Sequence, residues 1–91
     1  MQDEKKIQIN ELAKIKWACR RGMLELDVLL GYFFEEQYSR LTEAEQRQFV
    51  DLLEEADPTL FAWLMGHEVP PNRFISLTEK IRQHARSRTA T

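Results

Sequence analysis

The feature that most narrows the fold of this chain is a run of apolar residues, Leu26, Leu29, Leu30, Phe33, Phe34 and Tyr38, spaced three and four apart. That spacing lies along one face of an α-helix and on neither face of a strand, where side chains alternate with period two. Val28 and Tyr32 widen the stripe, which predicts a central helix covered on more than one side. No segment alternates apolar and polar residues as a half-buried strand requires. The fold class is therefore all-α.

The rest of the chain is punctuated into further helices. Asn10 is a candidate N-cap, and Leu12, Ile15 and Cys19 follow at the spacing of one helical face. Gly22 interrupts this pattern and is expected to end or kink the first helix before the second begins. Thr42-Glu43-Ala44-Glu45 has the form of a capping box, and the helix it opens presents Phe49, Leu52, Leu53 and Ala56 inward. Asp57-Pro58 closes that helix and starts a fourth, with Asp57 as N-cap and Pro58 at the first helical position.

Leu60, Phe61, Leu64 and Met65 are the packing residues of the fourth helix, and Gly66 is its left-handed terminator. Pro70-Pro71 forces an extended link. Phe74, Leu77 and Ile81 mark a fifth helix, which starts at Asn72 or at a capping box from Ser76 to Glu79. Leu41 is a short link, so the second and third helices are expected to be antiparallel neighbours. A single five-helix bundle over residues 1–91 results, with ends 1–8 and 85–91 expected to be mobile for want of apolar anchors.

Composition excludes several functions. Thirteen basic against fifteen acidic residues, a net charge of -2, argues against a dedicated nucleic-acid binder. No apolar run approaches the ~20 residues needed to span a bilayer. The acidic start Met1-Gln2-Asp3-Glu4 has the wrong charge for a signal or transit peptide, and a bacterial cytoplasmic location is expected. The single cysteine, Cys19, cannot form an internal disulfide.

Nor does the sequence carry a catalytic constellation. Cys19 with His67 or His84 is the only nucleophile and base set, and Cys19 shares the apolar stripe of Leu12 and Ile15, so core packing is the better reading. One cysteine and two separated histidines do not make a metal site. Gly22, Gly31 and Gly66 are isolated and form no phosphate loop. The carboxylate pairs Glu35-Glu36 and Glu54-Glu55 read as solvated faces. Trp63 reads as core between Leu60 and Leu64, while Trp17 is undecided between core and interface.

One cluster resists a purely structural explanation. From Trp17 to Asp27, paired arginines, a glycine and two acids surround a helix junction. Within a continuous helix Arg21 and Glu25 would form an i, i+4 pair in the weaker order, worth a few tenths of a kcal/mol. A better account is that Gly22 brings the backbone close to a partner, Arg20 and Arg21 offer planar donor forks, and Glu25 accepts from the partner at a helix N-terminus.

Arg21-Gly22-Met23-Leu24-Glu25 resembles the Arg-Gly-x-x-Glu signature of the succinate dehydrogenase flavinylation factor family. The resemblance continues through Trp17-Ala18-Cys19-Arg20, Glu25-Leu26-Asp27, Phe33-Phe34-Glu35, Leu52-Leu53-Glu54, Asp57-Pro58 and Leu60-Phe61-x-Trp63-Leu64-Met65, and it covers about residues 12 to 68. It implies a five-helix bundle that binds the flavoprotein subunit of succinate dehydrogenase, with the related fumarate reductase subunit as a further client, and promotes covalent attachment of FAD. The bond-forming groups and the FAD would belong to the partner, so this chain would be an assembly chaperone and not an enzyme, holding no cofactor or metal itself. Carried over, Arg21, Gly22 and Glu25 lie against the partner, with Trp17, Arg20, Met23 and Asp27 around them. A monomer is the expected state, and residues 69–91 receive no functional assignment.

The competing reading is an antitoxin-like or nucleic-acid-binding regulator. Lys14, Lys16, Arg20 and Arg21 form a local basic group that could support it.

Overall fold

The computed structural model describes residues 11–89. The expectations placed on Asn10 and on residues 1–8 lie outside them. Five α-helices make up the described chain: α1 over residues 11–18, α2 Leu24–Gln37, α3 Glu43–Leu52, α4 Asp57–Leu64 and α5 Asn72–Thr89, with a short 3-10 turn at Tyr38–Arg40. No strand occurs among the described residues.

Local signals set most of the boundaries. Thr42 accepts from the Glu45 N–H through its hydroxyl while the Glu45 carboxylate accepts from the Thr42 N–H at 3.0 Å, so the capping box opens α3 as its sequence indicates. Gly66 has φ +80°, and the amides of His67 and Gly66 return to the carbonyls of Ala62 and Trp63. That pairing is a Schellman motif, which satisfies the last carbonyls of α4. Ala56 is the N-cap of α4, which moves Asp57 and Pro58 to the first two helical positions. α5 starts at Asn72, so the Ser76-to-Glu79 box is interior helix.

α5 is the hub of the bundle, in contact with α2, α3 and α4. Phe74, Leu77 and Ile81 line its inner face and are fully enclosed, as are Leu26, Leu30 and Phe33 of α2 and Phe49 and Leu52 of α3. Burying each such side chain contributes about 1.5–3 kcal/mol, which is how so short a chain holds one core. α2 and α3 lie mainly against α5 and meet each other at the rings of Phe33 and Phe49, 5.6 Å between centroids. Thr78, the one polar side chain in this interior among the described residues, donates to the Ile75 carbonyl at 3.0 Å.

Further features depart from the sequence reading, among them the end of the third helix, which stops at Leu52 and leaves Ala56 exposed in the link to α4. α2 is not covered on several sides: Val28 and Tyr32 are exposed, because α4 and α5 pack on the face of Leu26, Leu30 and Phe33, roughly opposite on the helical wheel. Leu12 is also exposed, leaving Ile15 of α1 and Cys19 just after it as the buried residues of this stripe. Beyond His84, where the sequence offers no apolar anchor, α5 is helical to Thr89, and residues 90–91 of the end expected to be mobile lie outside the described residues. His84 sets its ring edge-on to Phe33 at 5.6 Å, and Arg88 lies 3.6 Å over the ring of Tyr32, so aromatic contacts to α2 do the anchoring.

Candidate functional site

The helix junction between α1 and α2 is built from both directions. α1 ends at residue 18 in a tightened turn, with the Arg20 N–H on the Trp17 carbonyl at 3.0 Å, so the helix stops before Gly22 and does not need it as a terminator. α2 then begins at Leu24 with Met23 as an extended N-cap whose own side chain supplies no bond. Two carboxylates instead hold the amides of the loop and of the N-cap. Asp27 accepts from the Arg21 N–H at 2.9 Å, and Asp57 accepts from the Met23 N–H at 3.2 Å.

Arg21 turns inward. Its side chain is 13% exposed, and Nη2 donates to the carbonyls of Leu53 at 2.9 Å and Glu55 at 2.8 Å, while Nη1 donates to the Ala18 carbonyl at 3.2 Å. Nε lies 3.1 Å from Asp57 Oδ1, close enough for ion pairing, but its N–H is not aimed at that oxygen. One planar fork thus spans the end of α1, the loop after α3 and the start of α4. A lysine has no equivalent geometry. The cation also sits among the last carbonyls of α3, where the helix dipole favours positive charge.

The other residues of the cluster divide by direction. Trp17 is 74% exposed and the Arg20 side chain 69% exposed, and Gly22 and Glu25 also face solvent. Arg20 Nε pairs with Asp27 Oδ1 at 3.4 Å, which leaves most of its guanidinium outward. Met23 packs part-buried against the core, and Asp27 is committed to the loop through Arg20 and Arg21. The junction therefore has holders, Arg21, Met23 and Asp27, beneath a presented group, Trp17, Arg20, Gly22 and Glu25.

Sequence reasoning missed three parts of this region. Leu24, next to Glu25 in the chain, is 71% exposed, and Val28 and Tyr32 continue its line along α2. Their i, i+4, i+8 spacing lies in the sequence, but not that this face stays largely open, with the Arg88 guanidinium over the Tyr32 ring. Together with Glu25, Leu29, Met65, His84, Ala85 and Arg88 these residues line an open groove of about 550 Å³ between α2 and α5. The sequence offers Asp57 as a helix cap and as part of the family resemblance, but not as a support of the junction. Its contact with the junction bridges thirty-four residues of chain and leaves no local signal.

The chemistry of the remaining candidates is quiet. Burial pushes the Cys19 thiol up to about 12, against a smaller opposing pull from Arg21, so the sulfur stays protonated near neutrality. His84 contacts Glu36 at 2.8 Å, and His67 lies edge-on to Phe61. No grouping of three or more metal-type side chains occurs among the described residues, and no helix there is long and apolar enough to cross a membrane. The basic group is dispersed: Lys16 pairs with Glu35 at 3.1 Å, Arg20 with Asp27, and Arg21 is enclosed.

Residues 13–85 match a protein family described as the flavinator of succinate dehydrogenase. The chain belongs to that family. Among its relatives in it, the FAD assembly factor SdhE of Aliivibrio fischeri is 56% identical over 75 residues, covering 81% of this chain and 87% of the relative. The protein of that name from Coxiella burnetii is 49% identical over 71 residues, covering 77% and 87%. The solution structure of a UPF0350 protein superposes with a TM-score of 0.72 at 54% identity, covering 86% of this chain and 84% of the other. The flavinator-family match takes in the whole α1–α2 junction and reaches through most of α5.

Proposed function

We propose that this chain is a succinate dehydrogenase flavinylation factor that docks on the flavoprotein subunit through the α1–α2 junction and promotes covalent attachment of FAD. The carrying observation is the division of labour at the junction. Trp17, Arg20, Leu24 and Glu25 project around an exposed glycine while Arg21, Met23 and Asp27 hold the loop from below. Fold stability needs the holders but gives no reason to expose both a tryptophan and a leucine at this junction.

In this reading Gly22 lets the partner approach the backbone, Glu25 accepts from partner donors at the positive end of α2, and Trp17 and Leu24 supply the apolar anchors. Arg21, placed by family resemblance against the partner, acts through the loop it shapes. The chain contributes no bond-forming group: it holds the flavoprotein so that the partner's own histidine and flavin meet in reactive geometry. The FAD remains the partner's. The fumarate reductase flavoprotein is a second client in the same proposal, and the factor works as a cytoplasmic monomer.

The test is co-expression of the flavoprotein subunit with Glu25→Ala or Gly22→Trp in a host lacking the factor, read by in-gel fluorescence of covalent flavin. Both variants are expected to keep a helical circular dichroism spectrum and to give the flavin signal of cells without factor. Normal covalent flavin in both would overturn the assignment of this surface.

A further inference from the structure

We propose that Asp57, at the start of α4 and outside the Arg-Gly-x-x-Glu segment, is a positioning residue that sets the register in which Gly22 and Glu25 are presented to the flavoprotein. The inference rests on the docking reading above and adds a residue that this reading does not require.

Three observations converge on this carboxylate. Oδ2 accepts from the Met23 N–H at 3.2 Å, Oδ1 lies 3.1 Å from Arg21 Nε, and a methyl group added at Gly22 would sit 3.8 Å from Oδ2. One side chain therefore contacts Arg21 and Met23 and lies beneath the Gly22 between them. Its own side chain is 27% exposed, so it works from beneath the loop and not as part of the presented face.

The consequence for the surface follows from helix geometry. Met23 is the N-cap of α2 and has no side-chain cap of its own, so its backbone conformation, φ -84° and ψ 118°, decides where the helix starts. Each residue of shift rotates a helix by about 100°. Glu25 lies two residues beyond Met23, and without the bond to Asp57 the first turn frays and the Glu25 carboxylate loses its fixed direction. The pairing with Arg21 ties the same point to the carbonyls of Leu53 and Glu55, so α4 and the loop before it become the platform of the docking face.

A purely structural role, in which Asp57 only favours the N-terminus of α4, would change stability and leave the junction alone. The experiment separates the two with full-length Asp57→Ala and Asp57→Asn, each measured at a temperature where circular dichroism shows it folded. Amide hydrogen exchange of residues 20–25 in the free protein and affinity for the purified apo flavoprotein subunit are the readouts. Gly22→Trp serves as the control for docking itself.

Faster exchange at Met23 together with affinity weakened about tenfold or more is expected for Asp57→Ala, the scale of one lost charge-assisted bond. Asp57→Asn, which keeps an acceptor but loses the charge facing Arg21, should fall between it and the parent. If Asp57→Ala does not fold, Asp57→Asn decides by the same readouts. Unchanged affinity in a folded Asp57 variant, with binding lost in Gly22→Trp, overturns the positioning role alone. Affinity lost while the junction amides exchange as in the parent overturns it too, since Asp57 would then act by direct contact. Full affinity in Gly22→Trp overturns the docking reading, and this inference with it.

Discussion

Arg21 donates through Nη2 to the carbonyl oxygen of Glu55 at 2.8 Å, so the arginine of the Arg-Gly-x-x-Glu segment ends inside the molecule, across the turn between α3 and α4. It serves as a C-terminal cap for α3 supplied from another part of the chain. Replacing it with alanine removes the donor to the Ala18, Leu53 and Glu55 carbonyls and the cation beside Asp57. Arg21→Ala is expected to lower the unfolding free energy by about 2–3 kcal/mol, with Arg21→Lys intermediate because it restores charge without the fork. Urea denaturation checks this, and an unchanged midpoint in Arg21→Ala would show that the fork is dispensable.

Gly22 and Gly66 should respond unequally to a small side chain. A Cβ at Gly22 would meet nothing nearer than 3.8 Å, and its φ lies outside the left-handed region. Gly22→Ala is therefore expected to stay within about 0.5 kcal/mol of the parent. At Gly66, φ is +80° and an added Cβ would lie 3.1 Å from Arg82 Nη2. Gly66→Ala should cost about 1 kcal/mol or more. Thermal melts of the two variants side by side test the contrast, and equal melting temperatures would refute it.

Acid should weaken the fold through two carboxylates that tie α5 to its neighbours. A hydrogen bond from Arg88, and then one from His84, holds the Glu36 carboxyl below its usual range, and a bond from Lys80, then the Thr42 amide, does the same for Glu45. A depressed folded-state value means that the unfolded chain takes up protons first. The stabilisation is thus fully present above about pH 4.3 and is lost as the pH falls through the lower folded values. Both groups are solvent-accessible, so the effect is modest. The double variant Glu36→Gln, Glu45→Gln should show a shallower decline in melting temperature below that pH. A curve parallel to the parent's would exclude these pairs as the cause.

Cys19 should be inert in the folded protein. It is 2% exposed, and burial pushes its thiol up to about 12. A maleimide added at pH 7 is expected to label it slowly in buffer and rapidly in urea, because the reactive thiolate requires the chain to open. Labelling at equal rates in both conditions would mean that the sulfur is accessible in the native state.

The parts of the fold that sequence made legible are those held by bonds between near neighbours. The Thr42–Glu45 box and the Gly66 terminator involve residues a few positions apart, so residue type and spacing are enough to find them. The direction of Arg21 was not legible, because it depends on where the chain has brought Leu53, Glu55 and Asp57. Val28 and Tyr32 show the same limit. Spacing placed them on α2, but whether a helix face is covered depends on how α4 and α5 are docked.

By itself the sequence determined the all-α class and several of the helix starts and stops, and it singled out the segment from Trp17 to Asp27, since helical periodicity, capping chemistry and a recognisable signature are all local. Tertiary structure alone decided that α5 is the hub, that Arg21, Met23 and Asp27 hold the junction while Trp17, Arg20, Leu24 and Glu25 face outward, and that Asp57 supports them from thirty-four residues away. The physical reason is that a side chain's role at a surface depends on which neighbours enclose it, and packing chooses those neighbours across the whole chain.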